Sequence, residues 1–163
     1  MANTSNRDEC DPLIVRTHYG DDRAWNAVKQ LLLPPAEDAD AEVPCFVEDP
    51  QWEGASVDDV LATVAAAEEL REHLQVVFLA DRVTMEAVDH PLLVVTTTTR
   101  EDCEDDEEWE FIVEYGREFR AMPQAAGDIH INLQLGNMDY PDFSSAADRD
   151  PDGIYRNVVD PSQ

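Results

Sequence analysis

The segment LQVVFLAD (residues 74–81) leaves few folds open to this chain. Its central residues are all apolar, so a strand formed here has to be covered on both faces. Strands that are covered on both faces belong to sheets with helices packed against each side. The segment therefore predicts the central strand of an α/β fold.

Further segments supply the remaining strands. The runs PLIVRTHY (12–19) and PCFVEDP (44–50) are short and apolar, and they predict two strands that precede the central one. HPLLVVTTTT (90–99) predicts a fourth strand because β-branched residues favour strands over helices. EFIVEYGREFRAMP (110–123) predicts either a fifth strand or the return arm of a hairpin, with a bulge or turn at residues 116–117.

Helix signals lie between the first three strands. Asp21 or Asp22 can cap a helix whose apolar face begins at Trp25. The segment SVDD (56–59) is a capping-box pattern, in which the serine and the second aspartate satisfy each other's backbone amides. It predicts a second helix, with an apolar stripe that continues to about residue 73.

The carboxyl-terminal part of the chain has a looser pattern. Residues 128–148 predict a helix or an irregular turn that ends near Gly136, followed by a short helix after Pro141. The whole order predicts an α/β single-domain sandwich with a mixed sheet of about five strands and flanking helices. The domain is expected to span residues 12–158, after a disordered amino-terminal tail at residues 1–11.

The charge balance is strongly acidic. The 163 residues include 37 acids and 11 bases, and the formal net charge is −26. Because binding to nucleic-acid phosphates or anionic lipid needs a cationic surface, we expect neither nucleic acid nor a membrane as a partner. A basic protein partner fits this charge. Colloidal solubility, adaptation to high salt and a role as a DNA-mimicking inhibitor would each produce the same excess of acids.

The amino terminus and the cysteines bear on the compartment. MANTSNRDECDP (1–12) has neither the apolar core of a secretory signal nor a basic run, and no apolar stretch is long enough to cross a bilayer. Cys10, Cys45 and Cys103 are far apart and have no metal-ligand or redox spacing. We therefore expect a cytoplasmic protein with free thiols.

Four polar residues are candidate catalytic groups. Arg16 and Asp81 lie late in predicted strands, and open α/β sheets form their sites beyond the carboxyl ends of strands. Asn132 and Asp139 are candidates for lining the same cleft. The alternative is structural: Arg16 and Asp81 form an ion pair, while Asn137 and Asp139 cap a helix.

The segment DRDPDG (148–153) comes nearest to a ligand motif. Asp148, Asp150 and Asp152 match the start of a calcium loop, but Val159 stands where that loop needs a bidentate glutamate. An Asp-Gly turn is the simpler interpretation, and no metal site is predicted. The sequence carries no dinucleotide-binding, phosphate-binding or nucleophile motif, so no cofactor is predicted either.

Five stretches stand out as a set: LIVRTHYGDDRAW (13–25), HPLLVV (90–95), GREFRAMP (116–123), NLQLGNMDYPDF (132–143) and DGIYR (152–156). Together they resemble a family of small, acidic, uncharacterised microbial domains of unknown function. The departures are His18, where the family favours aspartate, and Gly136, where it favours alanine. The resemblance implies one domain over most of the chain, and it implies no activity.

The acidic run EDCEDDEEWE (101–110) falls where this chain differs from the pattern of that family. The resemblance implies a short turn between the strand with HPLLVV and the segment with GREFR, whereas here the connection carries an acidic hairpin extension at about residues 99–110. Like charges at this density repel each other, which favours an extended, solvated hairpin tip. A contact with a lineage-specific partner is the alternative.

Two functions from different classes stay open. The first is a non-enzymatic binding or accessory protein, of immunity or inhibitor type, that engages a basic protein through its acidic surface. The second is a small enzyme, or an accessory factor of a small-molecule biosynthetic pathway, with the four candidate residues around a pocket. The first predicts an affinity that falls steeply with salt, and the second predicts that the four side chains converge.

Overall fold

The structure is a computed structural model that describes residues 12–32, 44–67 and 74–156. The predicted tail, the end of the predicted domain at residues 157–158 and the last turns of the helix predicted to reach residue 73 lie outside the described residues. The strands are β1 Leu13–Arg16, β2 Cys45–Val47, β3 Val76–Ala80, β4 Leu92–Thr96, β5 Glu118–Ala121 and β6 Ile154–Tyr155. The helices are α1 Asp22–Leu32, α2 Val57–Ala66, α3 Arg82–Glu86, α4 Asp106–Ile112, α5 Ala126–Gln134 and α6 Tyr140–Arg149.

The strands form one mixed sheet in the order β2-β1-β3-β4-β5-β6. Strand β1 runs parallel to β2 and β3, β4 is antiparallel to both of its neighbours, and β6 is parallel to β5. The α/β fold with a mixed sheet is therefore confirmed, and β3 is an inner strand whose five residues are all buried. The sheet has six strands and not about five, because the two-residue strand β6 pairs with β5.

The strand directions define two edges of the sheet. Strands β1, β2 and β3 end at the carboxyl edge, where the antiparallel β4 begins. Strands β5 and β6 also end there. At the opposite, amino edge, β3 begins beside the end of β4, with Val76 paired to Thr96. These two edges are the places at which loops and helix ends can assemble a site.

Side chains alternate between two cores along each strand. Ile14 and Phe78 belong to the larger core, which is closed by α1, α5 and α6 and includes Trp25 and Phe143. Fully buried aromatic rings supply much of its area, since the Phe143 ring meets that of Tyr155 edge to face at 5.2 Å. This core anchors the carboxyl-terminal helices on the sheet.

The smaller core lies on the other face of the sheet. Leu13, Val15 and Leu79 pack there against Val60 and Val64 of α2. Helix α2 starts with the predicted capping box, which the structure confirms. Its reciprocal hydrogen bonds join the Asp59 amide to Ser56 Oγ and the Ser56 amide to Asp59 Oδ2, each at 3.1 Å. None of the helices in the described parts of the chain has the length and hydropathy that crossing a bilayer requires.

Candidate functional site

Asp81 and Arg120 form a two-pronged ion pair at the carboxyl edge. Arg120 Nη1 and Nη2 each donate to one oxygen of Asp81, both at 2.8 Å, and Nη1 also donates to the Pro91 carbonyl. Asp81 caps α3 as well, because Oδ1 accepts from the Thr84 amide at 3.1 Å. Burial by itself would raise the pKa of Asp81, but the hydrogen bonds and charge of Arg120, with the Thr84 donors, hold that pKa below its usual value.

We expect the contribution of Asp81 to stability to vanish in acid. Because its folded-state pKa is lowered, the carboxylate stabilises the fold fully above its unfolded-state pKa of about 3.9, and this contribution is lost as the pH falls through the lower folded-state value. Urea unfolding of the wild type and Asp81→Asn should differ by a constant free energy from about pH 7 to about pH 5, and the difference should shrink below about pH 4. The other carboxylates titrate in both proteins, so their contributions cancel in the difference between the two unfolding free energies. A gap unchanged down to about pH 2 would contradict the ionised pair.

Arg16 lies at the same edge but takes different partners. It is almost fully buried, with Nε donating to the His18 carbonyl at 2.9 Å and Nη2 to Asp22 at 2.8 Å. Its guanidinium stacks on the Tyr19 ring at 4.4 Å and on the Trp25 ring at 5.4 Å. Burial raises the pKa of Tyr19 to about 12, although Arg16 acts in the opposite direction. The predicted Arg16–Asp81 ion pair is therefore wrong.

The four candidate catalytic residues do not converge. Arg16 lies on the same face of the sheet as Ile14, which belongs to the larger core. The neighbours of Arg120 in β5 also belong to the larger core, so the side chain of Arg120 points to the opposite face of the sheet. Asp81, which it binds, therefore lies on that opposite face. Asn132 donates from Nδ2 to the backbone carbonyl of Asp128, near the end of α5. Asp139 lies at the amino edge, where it is the N-cap residue of α6. The expectation of one cleft lined by all four fails because strand alternation and sheet direction separate them.

Of the two predicted caps, one is confirmed. Asp139 precedes α6, and its amide donates to Asp142 Oδ2 at 2.8 Å. Asn137 is not the N-cap of α6; its backbone amide instead donates to the Asn132 carbonyl at 3.0 Å, at the end of α5. Both residues serve the turn that joins α5 to α6.

The calcium-like segment is a turn. Asp150 Oδ2 accepts from the amides of Asp152 and Ile154, while Oδ1 accepts from Arg156. Both oxygens of the Asp150 carboxylate are thus engaged by donors of the same loop. Within residues 12–32, 44–67 and 74–156, no group of three or more histidine, cysteine or acidic side chains is placed to hold a metal ion.

Four arginines that could form a cationic patch are each paired with nearby acids. Arg117 pairs with Asp58, and Arg156 pairs with both Asp150 and Asp152. Arg16 and Arg120 are paired as described above, so the four arginines do not gather into a cationic patch. The field outside the protein is therefore set by the excess of carboxylates.

A cavity of about 310 Å³ opens at the amino edge. Gln75, just before β3, and Thr96, the last residue of β4, line it, and helix α4 forms one wall. The turn between α5 and α6 forms the other wall. We call this cavity the α4 cleft; its lining residues are Gln75, Thr96, Thr98, Glu108, Phe111, Ile112, Leu133, Gly136, Met138, Asp139, Tyr140 and Pro141.

Helix α4 was not among the sequence predictions. The prediction of an extended hairpin tip is wrong for residues 106–112, and the predicted fifth strand over 110–123 is reduced to β5 at its carboxyl-terminal end. The hairpin itself is confirmed, since β4 and β5 are antiparallel neighbours. Acidic side chains in the first turn of a helix are favoured by the helix dipole, so charge repulsion did not prevent the helix.

One sequence signal does mark the start of α4. Asp105 is followed three residues later by Glu108, which is a capping pattern. In the structure Asp105 Oδ1 accepts from the Glu108 amide at 2.9 Å, and Glu108 Oε2 accepts from the Glu104 amide at 2.7 Å. Arg100 adds a salt bridge to Asp106 in the first turn. The helix presents Phe111 and Glu108 to the cleft.

A second, wider cavity beside α2 has a different character. Its volume is about 610 Å³, and its carboxylates are Glu53 and Asp59. Both already accept backbone hydrogen bonds, from the amides of Tyr19 and Ser56 respectively. The α4 cleft is the better candidate for a site, because its large apolar residue Phe111 is 51 % exposed, whereas Trp52 beside α2 is 9 % exposed.

Comparison with known proteins places the chain in a family. Residues 11–158 match the model of a domain of unknown function, DUF6924. The chain belongs to this family. The resemblance drawn from the sequence, to a family of unknown function, is thus confirmed, and the match extends over most of the chain. None of the curated proteins matches it.

Within this DUF6924 domain, the α4 cleft combines an apolar surface with carboxylates. Phe111 is 51 % exposed, and Leu135, between two lining residues in the chain, is 65 % exposed. Glu108 and Asp139 supply the negative charge. Tyr140 is held in place, because its hydroxyl donates to the Arg117 carbonyl at 2.6 Å. Such a surface can bind a group that is apolar at its centre and cationic at its border.

Proposed function

We propose that this domain is a non-enzymatic binding or accessory module that engages a basic protein through α4 and the α4 cleft. One observation carries the proposal: an acidic helix and the half-exposed ring of Phe111 share one cavity in a chain with a net charge of −26. Negative charge around an apolar patch attracts a positively charged partner. The patch then provides apolar surface that the partner can bury.

The paired arginines support the same proposal. Arg117 and Arg120 follow α4 in the chain, and each is held by a carboxylate, Asp58 or Asp81. The carboxylates of α4 have fewer such partners, with Arg100 bound to Asp106. Helix α4 carries four acids in seven residues against this one arginine partner, so it keeps a net negative charge beside the cleft. A basic partner that binds there neutralises carboxylates that otherwise repel each other.

We expect loss of charge from α4 to weaken binding more than loss of the same charge elsewhere. The probe is a lysine-rich, alanine-based peptide of about 15 residues, long enough to become helical when bound. Glu107→Gln/Glu110→Gln should weaken binding about 3- to 10-fold at low salt, because both exposed side chains lie on the helix beside the cleft. Isothermal titration calorimetry measures the affinities.

The matched control is Asp89→Asn/Asp148→Asn, which changes the net charge equally and leaves α4 intact. It should alter affinity less than about 2-fold. For the wild type, affinity should fall steeply between about 0.05 and 0.5 M salt. Equal losses in the two double variants would mean that net charge alone attracts the peptide. Affinity that does not depend on salt would rule out the proposed function.

A further inference from the structure

The size of the α4 cleft indicates what part of a partner it accepts. Its volume of about 310 Å³ lies at the lower end of the range for small-ligand pockets, which is about 300–1,000 Å³. A space of this size accepts one large side chain and leaves the rest of a partner segment on the surface. The cleft is thus suited to a single anchor residue.

The walls of the cleft are suited to an apolar anchor. Phe111, Ile112 and Met138 line it, and Leu133 closes it towards the larger core. Phe111 leaves half of its surface in water, so a partner that covers this ring gains hydrophobic free energy. Met138 is half-buried and flexible, which lets the cleft adjust to the shape of the anchor.

The border of the cleft selects the residues that flank the anchor. Glu108 and Asp139 both line the cleft, one on α4 and the other at the start of α6. One oxygen of Glu108 accepts the Glu104 amide, which fixes the side chain beside the cleft. Lysine or arginine next to the anchor would meet these carboxylates, whereas an acidic residue would be repelled.

We propose that the α4 cleft receives one large apolar side chain from a basic segment of the partner, so that the partner is recognised by an apolar anchor flanked by lysines or arginines. This inference rests on the proposed function and adds the anchor to it. Charge complementarity argues for this occupant over a second copy of the chain, since two copies would bring two acidic surfaces together.

The experiment compares three helical peptides of about 15 residues that differ only in the anchor or the charge. The first carries lysines and one tryptophan, the second has serine in place of the tryptophan, and the third has glutamates in place of the lysines. For the wild type, calorimetry should show the first binding at least about 10-fold more tightly than the second, and the third not binding.

Variants of the protein test whether the cleft holds the anchor. Phe111→Ala removes one wall, and it should reduce the advantage of the tryptophan peptide to less than about 3-fold. Thr98→Trp fills the cleft from another lining position and should have the same effect. The matched control is Val88→Ala, which removes an apolar side chain that is 94 % exposed away from the cleft. It should leave the advantage unchanged.

The possible failures are distinct. Equal, salt-sensitive affinities for the tryptophan and serine peptides would overturn the anchor and leave the proposed function standing. Binding of the glutamate peptide would overturn both the anchor and the proposed function. Failure of all three peptides to bind would also overturn both. A wild-type protein that dimerises, and that becomes a monomer in Phe111→Ala, would assign the cleft to a second copy of the chain and so overturn the anchor.

Discussion

Replacing Asp81 with alanine is expected to lower the free energy of unfolding by about 3 kcal/mol. The substitution leaves Arg120 without its two-pronged partner. Only about a quarter of each of these two side chains is exposed to solvent. It also removes the cap of α3, where Thr84 donates to the carboxylate. An unpaired guanidinium at a mostly buried position accounts for the larger part of the loss, because the charge has no compensating ligand. Equilibrium unfolding in urea at neutral pH measures the effect.

The control is another acid whose ion pair lies in solvent. Glu86 pairs with Arg82 one helical turn away, and both side chains are more than half exposed. Glu86→Ala should cost less than about 0.5 kcal/mol, as exposed pairs of this kind usually do. A double-mutant cycle of Asp81→Ala and Arg120→Ala then isolates the energy of the pair. If Asp81→Ala cost no more than Glu86→Ala, the ion pair would be only a surface contact.

The carboxyl edge of the sheet is occupied by structural contacts. In open α/β sheets this edge is the usual place for a ligand, and Arg16 and Asp81 were candidates for that reason. Here Asp81 is saturated by Arg120 and Thr84, and Arg16 is covered by Tyr19 and Trp25. The half-exposed ring of Phe111 and the α4 cleft lie at the amino edge instead. The proposed binding role through α4 draws on this placement and on the failure of the four candidates to converge.

Local patterns predicted the strands β1 to β4 and the capped helices α1 and α2. The apolar run that forms β3 has to be an inner strand, because all five of its side chains must be buried against other residues. Ser56 and Asp59 form the capping box that their spacing indicates, and Asp21 accepts from the amide of Ala24 at the start of α1. These signals act within a few residues, so a single sequence contains them completely.

Pairings between distant residues were not predictable in this way. Asp81 binds Arg120, which lies on a strand that follows a long connection, and Arg16 binds the nearer Asp22. The sequence offers many carboxylates to each arginine, so it gives no reason to prefer one pair. The α4 cleft combines Gln75, Thr96 and the α5–α6 turn, which only the sheet topology brings together. Like-charge repulsion alone predicts an extended tip, whereas the capping pattern at Asp105 predicts the helix α4 that forms.

Trp25→Ala is expected to cost about 4 kcal/mol of unfolding free energy, the largest effect predicted for a single residue. Trp25 is 2 % exposed, and its ring meets the Phe46 ring edge to face at 5.6 Å. The guanidinium of Arg16 lies 5.4 Å from the same ring, so the substitution also removes part of the cover of a buried cation. The cavity left behind cannot close, because β2 and α1 are both held by the sheet.

Trp25→Phe separates packing from hydrogen bonding at the same position. The indole Nε1 donates to Glu48 at 2.5 Å, and Lys29 donates to the same oxygen at 3.1 Å. Phenylalanine keeps most of the apolar contact and loses the indole donor, so the loss should be about 1–2 kcal/mol. Phe111→Ala, at a half-exposed ring, should cost less than about 1 kcal/mol. A Trp25→Ala loss as small as that of Phe111→Ala would mean that α1 does not close the larger core, and the assignment of the carboxyl edge to structural contacts would lose its main support.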